Sequence, residues 1–478
     1  MSHHQNELAA SASTASAAPT TKKPKRSQFS GKVGFILAAS ASAIGLGNLW
    51  RFPALDARYG GGAFLVVYII LVFTFGFTLM TAEVAIGRKT GLSAIGAFAA
   101  LGKKYRIIGI LEAIVPIIIT PYYCVIGGWI CKYIVAFCTP GFADLAQPSY
   151  FSAFTAQTGE PIFWTLLFVL LTMVVVALGV ENGIERLNKV FMPLLLILGI
   201  AIGIYSLTIP GALQGLGYFL IPHLSDFSIS TLVAAMGQMF FSLSLAMGIM
   251  VTYGSYMKKS DNLSSSVAWI ELFDTIIAVL AGFMIIPAVY AFSGAAGAQQ
   301  AGASLMFVTL PRVFDLTVFP QAIGIAFFVL VLFAALTSAI SLAETVVSIC
   351  QDGLHMRRRT AVAVTAIGVA VIALLPTLGS SALSWFKVPI GGGQDILSFM
   401  DFISNSVLMP LVALLLCLAV GWGLKPYFVK EEVEVTPGAK MGRFGLFKVM
   451  IRFVAPIFMV VILVASVLSA VGVINIFS

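Results

Sequence analysis

Charge is what this sequence has least of. Only 10% of its 478 residues are Asp, Glu, Lys or Arg, against about a quarter in a soluble globular chain, which excludes a folded body with a solvated surface. Histidine is almost missing: His3, His4, His223 and His355 lie in the N-terminal stretch and in loops, where solvation is the ordinary fate. The five cysteines offer no disulfide framework. Cys124, Cys131 and Cys138 recur at seven-residue steps on one helix face, but each step is about 10.5 Å of rise, whereas zinc needs its thiolates about 2.3 Å from one point. They read as packing residues. There is no Gly-x-Ser-x-Gly elbow, no nucleotide-binding loop and no His/Asp/Glu cluster, so an enzyme is not expected. Residues 1–25, rich in Ala, Ser and Thr, lack an apolar core segment and are expected to form a disordered cytoplasmic tail, not a cleaved signal.

What fills the chain instead is hydrocarbon. Hydrophobic residues make up 59% and the mean hydropathy is +1.00, which predicts an all-α polytopic membrane protein. Apolar stretches long enough to span fall at roughly 33–56, 63–86, 107–137, 162–180, 190–209, 230–256, 266–292, 321–350, 361–378, 396–423 and 451–476, eleven in all. The net charge of +8 follows from topology. With the N-terminus cytoplasmic, the inner segments collect the basic clusters at 22–32, 88–106, 186–189, 258–259, 357–359 and 425–452, as the positive-inside rule requires. Nucleic acid is therefore not an expected partner, the lipid bilayer is, and an odd number of spans places the C-terminus outside.

Within the first span the stretch ASASAIGLGNLWRFP, Ala39 to Pro53, breaks its own helix with Gly45, Gly47, Asn48 and Pro53. Hydrocarbon does not tolerate the backbone groups such a break frees unless protein, water or an ion satisfies them. Glycines alone also serve close helix packing, but a second break recurs in the sixth span, FFSLSLAMGIMVTY, Phe240 to Tyr253. Spans 1 and 6 head two successive sets of five. Because five is odd, the second set (about 230–423) enters the membrane from the side opposite to the first (about 33–209), with 451–476 as an extra helix. An inverted repeat headed by two broken helices points to a transport site at the midplane, where half-helix N-termini attract an anion and unwound carbonyls hold a cation.

The residues that carry this pattern also resemble a family. Gly45-Leu46-Gly47-Asn48-Leu49-Trp50-Arg51-Phe52-Pro53 is followed by Gly60-Gly61-Gly62-Ala63-Phe64, then by Glu83 and Gly87-Arg88. Pro121-Tyr122-Tyr123, Gln238, Ser242 to Gly248, Leu336-Thr337-Ser338 and Met400-Asp401-Phe402 continue the series along nearly the whole chain. The sequence is similar to the neurotransmitter:sodium symporters, most of all to their bacterial amino-acid transporters. That family is itself a type case of the inverted-repeat pattern, so pattern and resemblance form one line of argument.

The resemblance implies a sodium-coupled symporter in a bacterial cytoplasmic membrane, with two Na⁺ sites and no organic cofactor. The first ion would take the carbonyl of Ala43, the side-chain oxygen of Asn48, the hydroxyl of Ser242 and the substrate carboxylate. An Asn of the seventh span completes this set in the family; here Asp274 takes that position, or Phe273 if the register shifts by one. A fixed carboxylate at Asp274 would make chloride unnecessary. The second ion would use carbonyls of Ala41, Ile44 and Ala334 with the hydroxyls of Thr337 and Ser338, unless these hydroxyls bond back to their own helix.

Gly45, where monoamine carriers of the family have Asp, implies an amino-acid substrate whose carboxylate meets the backbone at Ala43, Gly45 and Gly47 and the hydroxyl of Tyr123. Ser242, Ser244 and Ser338 would stand nearby. Ile119, Phe241, Met247 and Leu342 would line an apolar side-chain pocket, and the adaptable Met247 extends it to aromatic side chains. Arg51 with Asp401 would gate the outer vestibule above Phe241 and Tyr123, and Arg26 with Asp352 the inner one. Glu83 and Glu344 are expected to bind broken-helix backbone, with proton carriage as the alternative. Competing readings are a carrier of another small zwitterion and an ion channel, the latter requiring polar residues along a continuous pore. Substrate identity, stoichiometry and oligomeric state are not specified by the sequence.

Overall fold

The computed structural model describes residues 27–298, 303–389 and 393–470, and in these the chain is helical. Lipid dictates this, since only a helix satisfies its own backbone without a partner strand. Nine continuous helices are long and apolar enough to cross a membrane among the described residues, and a tenth crossing is a pair, Lys32–Ala43 and Gly47–Arg58, bent by 45°. That pair is span 1. Spans 2 to 5 are Gly62–Thr90, Lys103–Phe137, Gly159–Leu178 and Val180–Leu207. Spans 7 to 11 are Leu263–Phe292, Pro320–Gly353, Arg358–Leu378, Ile396–Gly423 and Phe444–Ser469. The sixth expected crossing is met by two short helices, Ile229–Ser242 and Ile249–Tyr256, neither long enough to cross alone.

Two expected boundaries move. The fifth span begins at Val180, ten residues early, because Glu185 and Lys189 pair across one turn (2.7 Å) and Glu185 accepts the Ser30 amide (2.8 Å), so the charged stretch stays helical. The eleventh begins at Phe444. The tail 1–25 and the end of the last expected span lie outside the described residues.

Burial sorts the spans. Two thirds of the apolar window is buried in spans 2, 3 and 8, but only a third in spans 5, 9 and 11, whose outer faces meet lipid. Close approach of the inner helices depends on glycine. A Cβ at Gly254 would lie 2.5 Å from the Val84 carbonyl, and one at Gly128 would lie 2.7 Å from the Thr165 amide. Spans 2 and 6 thus meet backbone to backbone, as do spans 3 and 4. The broken spans 1 and 6 are held inside this frame, against spans 2, 7 and 8.

Candidate functional site

The break in span 1 begins where Ile44 leaves the helix for extended backbone (φ −81°, ψ 92°). Side chains satisfy the groups it frees. Asn48 Oδ1 accepts the Gly45 amide (3.3 Å), the Tyr123 hydroxyl accepts the Leu46 amide (3.2 Å), and Gln238 donates to the Gly47 carbonyl (2.8 Å). The Ser42 carbonyl takes two hydroxyls, Ser244 at 3.1 Å and Ser338 at 3.0 Å. One unwound segment therefore joins spans 3, 6 and 8.

Span 6 unwinds between Ser242 and Ile249, with positive φ at Ser244 (54°), Ala246 (58°) and Gly248 (74°). Left-handed backbone costs an L-residue about 1–2 kcal/mol, so Ser244 and Ala246 hold it only because the surroundings impose it. Glu83 supplies one restraint by accepting the Ala246 amide at 2.8 Å, as expected of it. Glu344 does not act this way. It pairs with Arg358 (2.7 Å) and accepts the Tyr256 hydroxyl (2.8 Å), because Arg358 starts span 9 directly behind it.

Between the two breaks lies a cavity whose walls are the expected substrate residues. Ala43, Gly45 and Gly47 come from span 1, Ile119 and Tyr123 from span 3, Phe241, Ser244 and Met247 from span 6, and Ser338 and Leu342 from span 8. Ser42, Leu46 and Ile249 join them. Ser242 stands outside this wall, turned toward span 7. The cavity has about 20 Å³ of room for solvent, enough for about one water, and the groups assigned to a carboxylate bond one another here. A Cβ on Gly45 would collide with Ser338 and come within 2.9 Å of the Tyr123 hydroxyl; one on Gly47 would lie 2.8 Å from the Phe241 ring.

Asp274 closes the other side of the break. Its Oδ1 accepts Ser242 (2.6 Å) and Asn48 Nδ2 (2.9 Å), and its Oδ2 accepts the Tyr68 hydroxyl (2.6 Å). Asp274 and Asn48 are wholly buried, and among the described residues no basic side chain pairs with Asp274. The sequence placed Asn48, Ser242 and Asp274 together, and the structure does bring them together; the register that puts Phe273 there does not fit this geometry. Tyr68 went unnoticed because in GAFLVVYIIL a tyrosine reads as one more apolar residue. Each of these side chains carries an oxygen, with Asn48 turning its Nδ2 to Asp274 here, and a buried carboxylate without a basic partner suits a hard cation.

The second expected ion group is only half assembled. Ser338 reaches the Ser42 carbonyl at the end of the first half-helix, but the Thr337 hydroxyl bonds back to Phe333 and Ala334 (both 3.0 Å) on its own helix. Nor does the outer gate pair form in this conformation. Arg51 lies over the Phe241 ring, 5.2 Å from its centre, while Asp401 is taken by Asn405 (2.6 Å) and Tyr122 (3.1 Å), one turn and one helix away. At the inner gate Asp352 accepts the Ser93 amide (2.6 Å), and Arg26 lies outside the described residues.

Comparison with known proteins decides what this arrangement belongs to. A model described as the sodium:neurotransmitter symporter family matches residues 26–143 and 152–474. The chain belongs to that family. It is 34% identical to the uncharacterised sodium-dependent transporter YhdH of Bacillus subtilis over 91% of this chain and 96% of that one. It is 25% identical to a human sodium- and chloride-dependent GABA transporter over 85% of this chain and 75% of that one. Among solved structures it is similar to MhsT in complex with L-phenylalanine, with a TM-score of 0.84 and 36% identity, over 92% of this chain and all of that one. As a member of the symporter family it is a sodium-dependent membrane transporter of a small molecule, with span 1 broken at Ile44–Leu46 and span 6 at Leu243–Gly248.

Proposed function

We propose that this transporter couples inward movement of Na⁺ to uptake of a hydrophobic or aromatic neutral amino acid by alternating access, without chloride, across a bacterial cytoplasmic membrane with the N-terminus inside. The observation that carries the reading is Gly45. A Cβ there would crowd Ser338 and Tyr123, and the amides of Gly45 and Leu46 stand beside the Tyr123 hydroxyl, the donor set an α-carboxylate needs. The walls contributed by Ile119, Phe241, Met247 and Leu342 offer an apolar side chain burial, at about 25 cal/mol per Å². The neighbour solved with L-phenylalanine supports the aromatic end of this range.

The first Na⁺ would be held by Asn48, Ser242, Asp274, the Ala43 carbonyl and the substrate carboxylate, so that ion and substrate complete each other's shells. The second would sit between Ala41, Ile44, Ala334, Thr337 and Ser338 once the Thr337 hydroxyl releases its own helix. Asp274 supplies the fixed negative charge that a chloride-dependent relative takes from solution. Arg51 leaving Phe241 for Asp401 would open or seal the outer path, and Arg26 with Asp352 the inner one. Exposed pairs of this kind are worth about 0–1 kcal/mol, which suits a gate that must reopen.

Reconstituted vesicles test the coupling. Uptake of L-phenylalanine or L-leucine should require an inward Na⁺ gradient and be unchanged when gluconate replaces chloride. Uptake driven equally by K⁺, or lost without chloride, contradicts the reading.

A further inference from the structure

At the span 6 break two buried carboxylates act on each other, and among the described residues no basic side chain pairs with either. Glu83, on the last turns of span 2, and Glu112, on the first turns of span 3, are 0% and 1% exposed, and their charges face each other. Three of their four oxygens make no hydrogen bond; the fourth, Glu83 Oε1, takes the Ala246 amide at 2.8 Å. The Gly248 amide approaches Glu112 without forming a full bond. Both carboxylates thus press on the left-handed turns at Ala246 and Gly248 that unwind span 6.

Among the described residues, no cation answers them from the neighbouring elements. Arg88, one turn beyond Glu83, is committed to Glu432 (2.8 Å), and Glu344 of span 8 to Arg358. Helix Ala94–Leu101 carries no titratable group, Arg106 at the start of span 3 is exposed, and Tyr253 of span 6 donates to Ser341. The titratable group facing Glu83 from span 10 is Cys417, which is neutral as a thiol. Two carboxylate charges that act on each other in a dry site cannot both persist, because like charges oppose ionisation and burial strips their water.

We infer that Glu83 and Glu112 share one proton and form a proton-binding site that senses the state of the span 6 break. Glu83 stays charged on the Ala246 amide and Glu112 donates its O–H to the free Glu83 oxygen, which gives two of the three orphaned oxygens a partner. Glu83 and Glu112 lie on the halves of spans 2 and 3 that end in Arg88, Lys89, Lys103 and Lys104, the side expected to face the cytoplasm. When that side opens and water enters, the shared proton leaves to solvent and two charges remain, repelling each other and holding the inner half apart. By linkage, acid favours the closed state that holds the proton and alkali the open one. The existence of the proton does not depend on the substrate reading; its coupling to transport rests on the alternating access proposed above.

Infrared difference spectra of the purified full-length protein in Na⁺, without substrate, test the pair alone. At about pH 8, where solvated carboxylates are charged, the wild type should show a neutral-carboxyl carbonyl band that shifts in D₂O and is absent from both Glu112→Gln and Glu83→Gln. An unchanged band in both variants overturns the proposal. If neither variant can be isolated, the wild type decides, since no neutral-carboxyl band at that pH overturns it. The coupling is read separately with L-phenylalanine as the probe in weak buffer. Binding that closes the site should take up a proton, by as much as about one per molecule, in the wild type and none in Glu112→Gln. Binding with no proton uptake overturns the coupling, whereas failure of the probe to bind at all bears on the proposed substrate and leaves the infrared result standing.

Discussion

At Asp274, one carboxylate oxygen holds Asn48 and Ser242 while the other holds Tyr68. Bringing Na⁺ to about 4 Å from that charge gains roughly 4 kcal/mol at an effective dielectric of 20. Asp274→Asn removes this attraction, so sodium binding should weaken by well over tenfold, and chloride should restore part of it if the anion enters the space. Normal sodium affinity in the variant would remove Asp274 from the ion site. Tyr68→Phe is a milder probe. It deletes one hydrogen bond to a charged group, worth about 1.5–3 kcal/mol, and leaves the ring packed between Phe52 and Phe64. Sodium titration should shift about tenfold, and without sodium the melting temperature should fall, since the buried Asp274 loses a donor. Gly45→Ala separates the two ligands: its methyl enters the cavity against Tyr123 and Ser338, so substrate binding should be lost while sodium still protects the protein against unfolding.

Among the elements, the broken helices were the most legible, because glycine and paired polar residues in the middle of an apolar run weaken a helix that lipid otherwise enforces. What satisfies the breaks was less so. Gln238 and Tyr68 contribute single polar atoms from apolar stretches, and their partners are 191 and 206 residues away in the chain. Glu112 lies near a helix start, where a carboxylate ordinarily reaches water, and only the tertiary structure shows it buried. Glu344 was misassigned because its partner lies across the turn to span 9, which the sequence marks as a cytoplasmic basic cluster. That pair carries its own prediction. Arg358→Ala leaves Glu344 buried without its cation, at a cost of about 3–5 kcal/mol, and should lower the melting temperature of the purified protein sharply. Arg358→Lys should recover part of the loss.

For the molecule as a whole, the contrast between spans two-thirds buried and spans one-third buried defines a frame around two bent elements. Ser42, Ser244 and Ser338 tie these elements together through one carbonyl, so motion at either break is felt at both proposed ion sites and at the cavity. Ion and substrate share the first break, and each is expected to strengthen the binding of the other. That mutual dependence is the central claim, and a screen of the twenty amino acids against the purified protein, in Na⁺ and in K⁺, tests it most directly. Binding confined to hydrophobic and aromatic amino acids, and seen only in Na⁺, is the predicted result. Equal binding in K⁺, or a preference for charged amino acids, would contradict it.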